Sequence, residues 1–195
     1  MTTAKRIVIG LSGASGAALG VKALELLKNM QGVETHLVVS HAFKTYLGCE
    51  CPLNYEALCK LADYCYDPLD LSAPIASGSF KTCGMAIIPC SMKTLAGLAA
   101  GYSDSLLLRA GDVHLKERRP LVLATRETPL SLIHIRNMET LTLAGALIMP
   151  PVVTYYHNPK TLDDMTTQIA ARILDKLGLD VSGVMRVWQP VYGRT

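Results

Sequence analysis

The sequence predicts one α/β domain built on a doubly wound, mostly parallel, Rossmann-like sheet. Three features indicate it: short runs that are almost continuously apolar, segments of helical spacing between them, and a polar or Gly/Ser/Pro loop after each run. At 195 residues the chain has the length of one domain. We therefore expect residues 1–195 to fold together, with a C-terminal tail from about residue 178.

The elements follow in order from the first βα unit. Arg6–Leu11 is β-branched and apolar, typical of a strand buried on both faces, and the loop Ser12–Gly16 separates it from a helix over residues 17–30. We predict further strands at residues 35–39, 85–89, 121–125 and 146–149. We predict further helices at residues 40–50, 54–64, 105–116, 131–144 and 162–177, a small-residue helix ending at residue 100, and a loop over 64–74.

Composition limits the function classes. Hydrophobic residues make up 50% of the chain and charged residues 18%, more apolar surface than a monomer of this size needs to hide, which favours a homo-oligomer. The net charge of +3 is too small, and its basic residues too scattered, for a nucleic-acid groove. Residues 1–6 lead directly into the first strand and no apolar run reaches membrane-spanning length, so we expect a cytoplasmic protein without a membrane partner.

The cysteines and histidines show no metal-site pattern. None of the six cysteines forms a CxxC motif, and the five histidines show no ligand or triad spacing. We expect the cysteines to be reduced and buried, and we expect no metal.

The loops after the strands carry the candidate binding residues. The loop with Gly13, Ala14 and Ser15 can offer backbone N–H groups and a hydroxyl to an anion at a helix N-terminus. Parallel strands end at one edge of a sheet, which would gather these groups with other residues that follow strands. Those residues are Ser40, Ser91, Thr94 and Arg126. Such hydroxyls and an arginine suit a phosphate and the edge of an isoalloxazine, although each serine is equally explained as a helix N-cap.

Charged residues elsewhere have two explanations. Lys116 ends a predicted helix, where cations suit the helix dipole, and Arg109 lies seven residues earlier near the same helical face. Both can reach one anion, or both can be solvated. Glu50 and Glu127 are the candidate carboxylates because each lies near a loop on the ligand side.

Several segments together resemble the UbiX-type flavin prenyltransferases, including the similar proteins labelled phenylacrylic or hydroxyarylic acid decarboxylase subunits. The KERRPLVL run followed by RETPL is the most specific feature, and the resemblance spans nearly the whole chain. The segments that carry it are SGASGA at Ser12–Ala17, SGSF at Ser77–Phe80, PCSMKTL at Pro89–Leu95, the run Arg109–Leu123, RETPL at Arg126–Leu130, and MPP with YHNP at 149–159.

The resemblance implies a flavoprotein that binds FMN without a metal. It implies FMN contacts from Gly13, Ala14, Ser15, Ser40, Ser91, Met92, Lys93, Thr94 and Arg126. It implies that Lys116, Tyr156 and Arg172, with Arg109 close by, bind dimethylallyl phosphate. The dimethylallyl group would be joined to N5 and C6 of reduced FMN, with Ser15 and Glu127 relaying the N5 proton and Glu50 assisting ring closure. A homo-oligomer, often a dodecamer, and a UbiD-type decarboxylase as the recipient of the product are also implied.

The C-terminal tail departs from the family pattern. Relatives often carry adjacent Arg and Trp residues, whereas Val187 separates Arg186 from Trp188 here, so the capping role of Trp188 stays open. Two alternative functions also stay open: an FMN-dependent decarboxylase of phenolic or hydroxybenzoic acids, and a non-catalytic flavin carrier or accessory subunit. The segment Pro89–Thr94 lacks the Asn of the peptidyl-cysteine decarboxylases, which disfavours their chemistry.

Overall fold

Six parallel strands form one twisted sheet in a computed structural model that describes residues 4–189. The strand order is β3-β2-β1-β4-β5-β6. The strands are β1 (Lys5–Leu11), β2 (Val33–Val39), β3 (Tyr64–Tyr66), β4 (Gly84–Cys90), β5 (Leu121–Thr125) and β6 (Leu147–Ile148). All neighbouring strands pair in parallel, and the order reverses between β1 and β4, where a doubly wound sheet opens a crevice.

Helices cover both faces of the sheet. They are α1 (Ala17–Lys28), α2 (His41–Glu50), α3 (Tyr55–Cys59), α4 (Met92–Ala99), α5 (Leu106–Lys116), α6 (Leu132–Leu143) and α7 (Leu162–Asp175). One apolar core joins α1, α2, α3 and α7 to the sheet, and a second core joins α4, α5 and α6 to its other face. The fold predicted from the sequence, a doubly wound parallel α/β sheet, is therefore confirmed.

The segment after α2 is where the predicted elements are wrong. The helix expected over residues 54–64 ends at Cys59, and the expected loop begins with the edge strand β3. β3 has only three residues, too few to show a strand period, and its place depends on tertiary contacts. One of these is the stacking of Tyr64 on the His36 ring, with centroids 4.9 Å apart.

The expectation that all cysteines are reduced and buried is also wrong. Cys59 and Cys65 are joined as a disulfide between the end of α3 and β3. Of the four free cysteines among residues 4–189, Cys49 and Cys83 are exposed. Spacing alone did not reveal the pair, because the turn that brings Cys59 to Cys65 follows from the unpredicted strand.

Neither a membrane span nor a metal cluster is found in the described part of the chain. Within residues 4–189, no helix combines the length and apolarity needed to cross a bilayer. Over the same range, no three or more His, Cys, Asp or Glu side chains group in a way that could hold a metal ion.

A buried histidine on α5 is expected to make stability depend on pH. His114 lies between Ala110 O (2.7 Å from Nδ1) and Thr82 Oγ1 (2.9 Å from Nε2), and burial lowers its pKa to about 4. Since the unfolded histidine titrates near 6.5, the unfolded chain gains the proton first as the pH falls. Neutral His114 therefore contributes fully to the free energy of unfolding above about pH 6.5. About 2 kcal/mol of the free energy of unfolding is lost between pH 7 and 5.

Urea unfolding at pH 7 and 5, at one protein concentration, measures this effect. His114→Gln is expected to be less stable than the parent at pH 7 but to lose less stability on acidification. His36, whose pKa burial also lowers, adds a residual slope of the same sign in both proteins. Equal losses in parent and variant would show that His114 does not carry the pH dependence.

Candidate functional site

A buried serine joins the two strands at the point where the sheet order reverses. The Ser12 hydroxyl, fully buried after β1, donates to Pro89 O at 2.9 Å and accepts from the Ser91 amide at 2.8 Å. These bonds lock the loop after β1 to the loop after β4, so that both border one crevice. Sequence reasoning did not select Ser12, whose only signal was that it begins the SGASGA segment.

The larger of two adjoining cavities, of about 640 Å³, lies in this crevice. The N-termini of α2 and α4 open onto it, and their positive dipole ends favour an anion there. Its lining includes Gly13, Ser40, Ser91, Met92, Lys93 and Thr94, together with His41, Ala42, Lys44, Asp67, Pro68, Leu69, Asp104, Ser105, Leu107, Leu108 and Glu127. Asp67–Leu69 belongs to the predicted loop over residues 64–74, from which no site residue was selected, and it follows β3 directly.

Ser40 and Ser91 each cap a helix and also line the larger cavity. Ser40 Oγ caps α2 by accepting from Phe43 N at 3.2 Å. Ser91 Oγ caps α4 by accepting from Thr94 N at 3.3 Å, and it donates to Thr94 Oγ1 at 3.1 Å. Both serines also line the larger cavity, so the helix cap fixes the position of each hydroxyl at the cavity wall.

The smaller cavity, of about 340 Å³, adjoins the larger one. The two share Gly13, Ser91, Met92 and Glu127 in their linings. The smaller cavity adds Ala14, Ser15, Tyr46, Glu50 and Arg126. It therefore brings together the two carboxylates, the serine and the arginine that sequence reasoning selected from three separate places in the chain, and it adds Tyr46, which was missed.

Glu50 is the anion at the N-terminus of α1. Its Oε2 accepts from Gly16 N and Ala17 N, both at 2.7 Å. Partial burial raises the pKa of the Glu50 carboxyl, but hydrogen bonds from Ser15 and those two amides, with the charge of Arg126, hold the pKa below its ordinary value. The first amides of α1, which directly follow the loop predicted to bind an anion, are thus used by the chain's own carboxylate, 34 residues from Gly16.

Arg126 and Glu127 enter the smaller cavity from the end of β5. The Arg126 amide donates to Cys90 O at 3.1 Å, which ties this loop to the end of β4. Glu127 Oε1 accepts from Thr128 N at 3.0 Å, which orients the carboxylate. Both side chains are exposed.

Arg109 and Lys116 lie elsewhere on the chain. Arg109 Nε donates to Ala76 O at 3.2 Å and its Nη1 pairs with Asp112 at 2.8 Å. Lys116 pairs with Glu117 beside Gly78. The first turn of α5 borders the larger cavity, and α5 runs antiparallel to the strands. Lys116, the last residue of this helix, therefore lies about 13 Å farther along the helix axis, toward the opposite edge of the sheet.

Tyr156, Arg172 and Trp188 share a third cavity, of about 580 Å³, between β6, α7 and the C-terminal segment. The Tyr156 and Trp188 rings meet edge to face with centroids 5.6 Å apart. No residue that lines this cavity within residues 4–189 also lines the other two. The predicted substrate residues therefore occupy separate places on a single chain.

Comparison with known proteins adds a family match. The family model described as Flavoprotein matches residues 1–175. The flavin prenyltransferase UbiX of Escherichia coli K12 is 50% identical over 175 residues, which cover 90% of this chain and 93% of that protein.

Two solved structures are similar over nearly all of the chain. A dodecameric FMN-dependent UbiX-like decarboxylase from Escherichia coli O157:H7 is 48% identical with a TM-score of 0.92, covering 95% of this chain and 100% of the other. AnUbiX, solved in complex with FMN and dimethylallyl pyrophosphate, is 45% identical with a TM-score of 0.93, covering 96% and 98%.

Proposed function

Since the chain belongs to the flavoprotein family and, within it, to the UbiX-type flavin prenyltransferases, we propose that it transfers a dimethylallyl group from dimethylallyl phosphate to N5 and C6 of reduced FMN and releases inorganic phosphate. The observation that carries this proposal is the pair of adjoining cavities at the switch point. The larger one suits a flavin phosphate, and the smaller one gathers Ser15, Glu50, Arg126 and Glu127.

The residues present fit FMN. Two helix N-termini, the hydroxyls of Ser40, Ser91 and Thr94, and the Lys93 side chain offer donors and positive charge for a phosphate. Gly13 lets the loop after β1 lie directly against the start of α2 at the edge of both cavities, because a Cβ there would lie 2.5 Å from the Ala42 Cβ. We propose that the larger cavity holds the phosphate and ribityl chain and that Arg126 meets the ring edge.

Reduced FMN, when bound, supplies the nucleophilic nitrogen and carbon of its ring. The chain's own groups hold the ring in one orientation, exclude water and move the proton that N5 must lose. We propose that Ser15 and Glu127 take this proton and that Glu50, held as a carboxylate by three hydrogen bonds, assists a later proton movement.

We propose that the donor site is completed between subunits of a homo-oligomer, often a dodecamer in this family. Arg109 and Lys116 lie apart from Tyr156 and Arg172 on one chain, so only neighbouring chains can bring the four around one phosphate. α6 supports such assembly because it exposes large apolar side chains. These are Leu132, Ile133, Ile135 and Leu143.

The product of the proposed reaction is a modified flavin that a second protein would use. A modified flavin is a cofactor rather than an end product, so we propose that a UbiD-type decarboxylase receives it. We propose a cytoplasmic location for both, and dimethylallyl phosphate as the prenyl donor.

Mass spectrometry of the flavin tests the function. The protein is incubated without oxygen with reduced FMN and dimethylallyl phosphate, and the released flavin is expected to gain one five-carbon unit. The same incubation with a phenolic acid is expected to release no carbon dioxide. An unchanged flavin, or carbon dioxide formed by this protein alone, would contradict the proposal and favour the carrier or the decarboxylase alternative.

A further inference from the structure

A buried glutamine on α7 binds the backbone of the C-terminal segment. Gln168 is 4% exposed, although glutamine is usually a surface residue. Its Oε1 accepts from Arg186 N at 2.8 Å and its Nε2 donates to Arg186 O at 2.8 Å. The side-chain amide thus pairs with both polar backbone groups of one residue, as a neighbouring strand would.

The same amide also contacts Tyr156. Gln168 Nε2 lies 3.2 Å from the Tyr156 hydroxyl, which itself donates to Arg186 O at 3.1 Å. A tyrosine has one hydroxyl proton, so Tyr156 cannot donate to Arg186 O and to a phosphate oxygen at once. If Tyr156 turned its proton to a phosphate, the amide of Gln168 would still hold Arg186 at both its N–H and its carbonyl.

We propose that Gln168 is a positioning residue that latches the C-terminal segment across the third cavity while Tyr156 engages the phosphate of the prenyl donor. This rests on the proposed function, in which Tyr156 and Arg172 belong to the donor site. The latch also fixes the register of the tail. With the Arg186 backbone pinned, Trp188 two residues later meets the Tyr156 ring edge to face.

The latch makes a prediction that does not involve catalysis. Gln168→Met keeps the length of the side chain but removes all three hydrogen bonds. Trypsin cleaves after Arg186 only when the backbone there is free, so cleavage at this bond in the FMN-bound protein is expected to accelerate tenfold or more. Intact-protein mass spectrometry identifies the shortened product, and cleavage after Lys176 serves as an internal reference.

The second readout is kinetic. In Gln168→Met the KM for dimethylallyl phosphate is expected to rise about tenfold, with kcat within threefold of the parent, because binding of the donor is affected and the reacting groups are not. Gln168→Glu, which keeps the acceptor oxygen but loses the donor, is expected to be equally sensitive to trypsin and provides a second variant should the first fail to fold.

Thr166→Val is the matched control. Among residues 4–189 its hydroxyl bonds only to Leu162 O within α7, at 2.8 Å, so its loss removes a hydrogen bond from the same helix without touching Arg186. The latch is overturned if Gln168→Met resists trypsin as the parent does, if its KM is unchanged, or if Thr166→Val shows the same changes. Absence of prenyl transfer in the parent would defeat the proposed function, and the tryptic result alone would then decide the latch.

Discussion

Replacing Glu127 with Gln is expected to slow prenyl transfer to reduced FMN by a factor of about 10² to 10⁴ while leaving FMN bound. Glu127 lines both adjoining cavities and so lies between them. Its carboxylate is oriented by the Thr128 amide, a contact that glutamine preserves through its side-chain oxygen. Glutamine cannot accept the N5 proton at neutral pH, so the proton relay should fail while binding is unaffected.

Single-turnover measurements with FMN reduced in place separate these two effects. Flavin retention through gel filtration reports binding, and the mass of the flavin over time reports transfer. Glu56→Gln is the control, because Glu56 is an exposed carboxylate on α3 that lines neither cavity. Turnover at the parental rate in Glu127→Gln would remove this residue from the mechanism.

Gly13→Ala is expected to weaken FMN binding roughly 10- to 100-fold, since overpacking of this kind costs about 1–3 kcal/mol. A Cβ at Gly13 would lie 2.5 Å from the Ala42 Cβ, so the loop after β1 and the start of α2 must separate. Gly13 borders both cavities, and the displaced N-terminus of α2 is one of the two that face the proposed phosphate position. The added methyl group therefore weakens FMN binding indirectly, because it displaces the N-terminus of α2.

Titration of FMN against the apoprotein measures the dissociation constant. Gly48→Ala is a close control, because Gly48 lies in α2, the helix that Gly13→Ala is expected to displace. A Cβ at Gly48 would meet nothing within 4 Å. We expect parental affinity in that variant. If Gly13→Ala binds FMN with the affinity of the parent, the loop after β1 and α2 have room to adjust. The glycine would then not be required for FMN binding.

The residues predicted from loops after strands lie together, whereas those predicted from a helical face do not join them. The residues selected from loops after strands lie around the two adjoining cavities, because every parallel strand ends at the same edge. Arg109 and Lys116 were selected from one helical face, and they point to the segment 76–78 and not to those cavities. Helical spacing correctly relates two residues on α5, but it does not say which neighbour they meet.

Patterns that are local in the chain were sufficient to determine the sheet, its parallel connections and the edge where Ser40, Ser91 and Arg126 gather. Apolar runs and helical spacing are local, and the edge follows from strand direction alone. Only the tertiary structure decided that Glu50 caps α1, that Ser12 joins β1 to β4, and that Gln168 binds Arg186. Each of these is a hydrogen bond between residues 18 to 79 positions apart, formed by side chains whose meeting depends on how helices pack on the sheet, which no local period encodes.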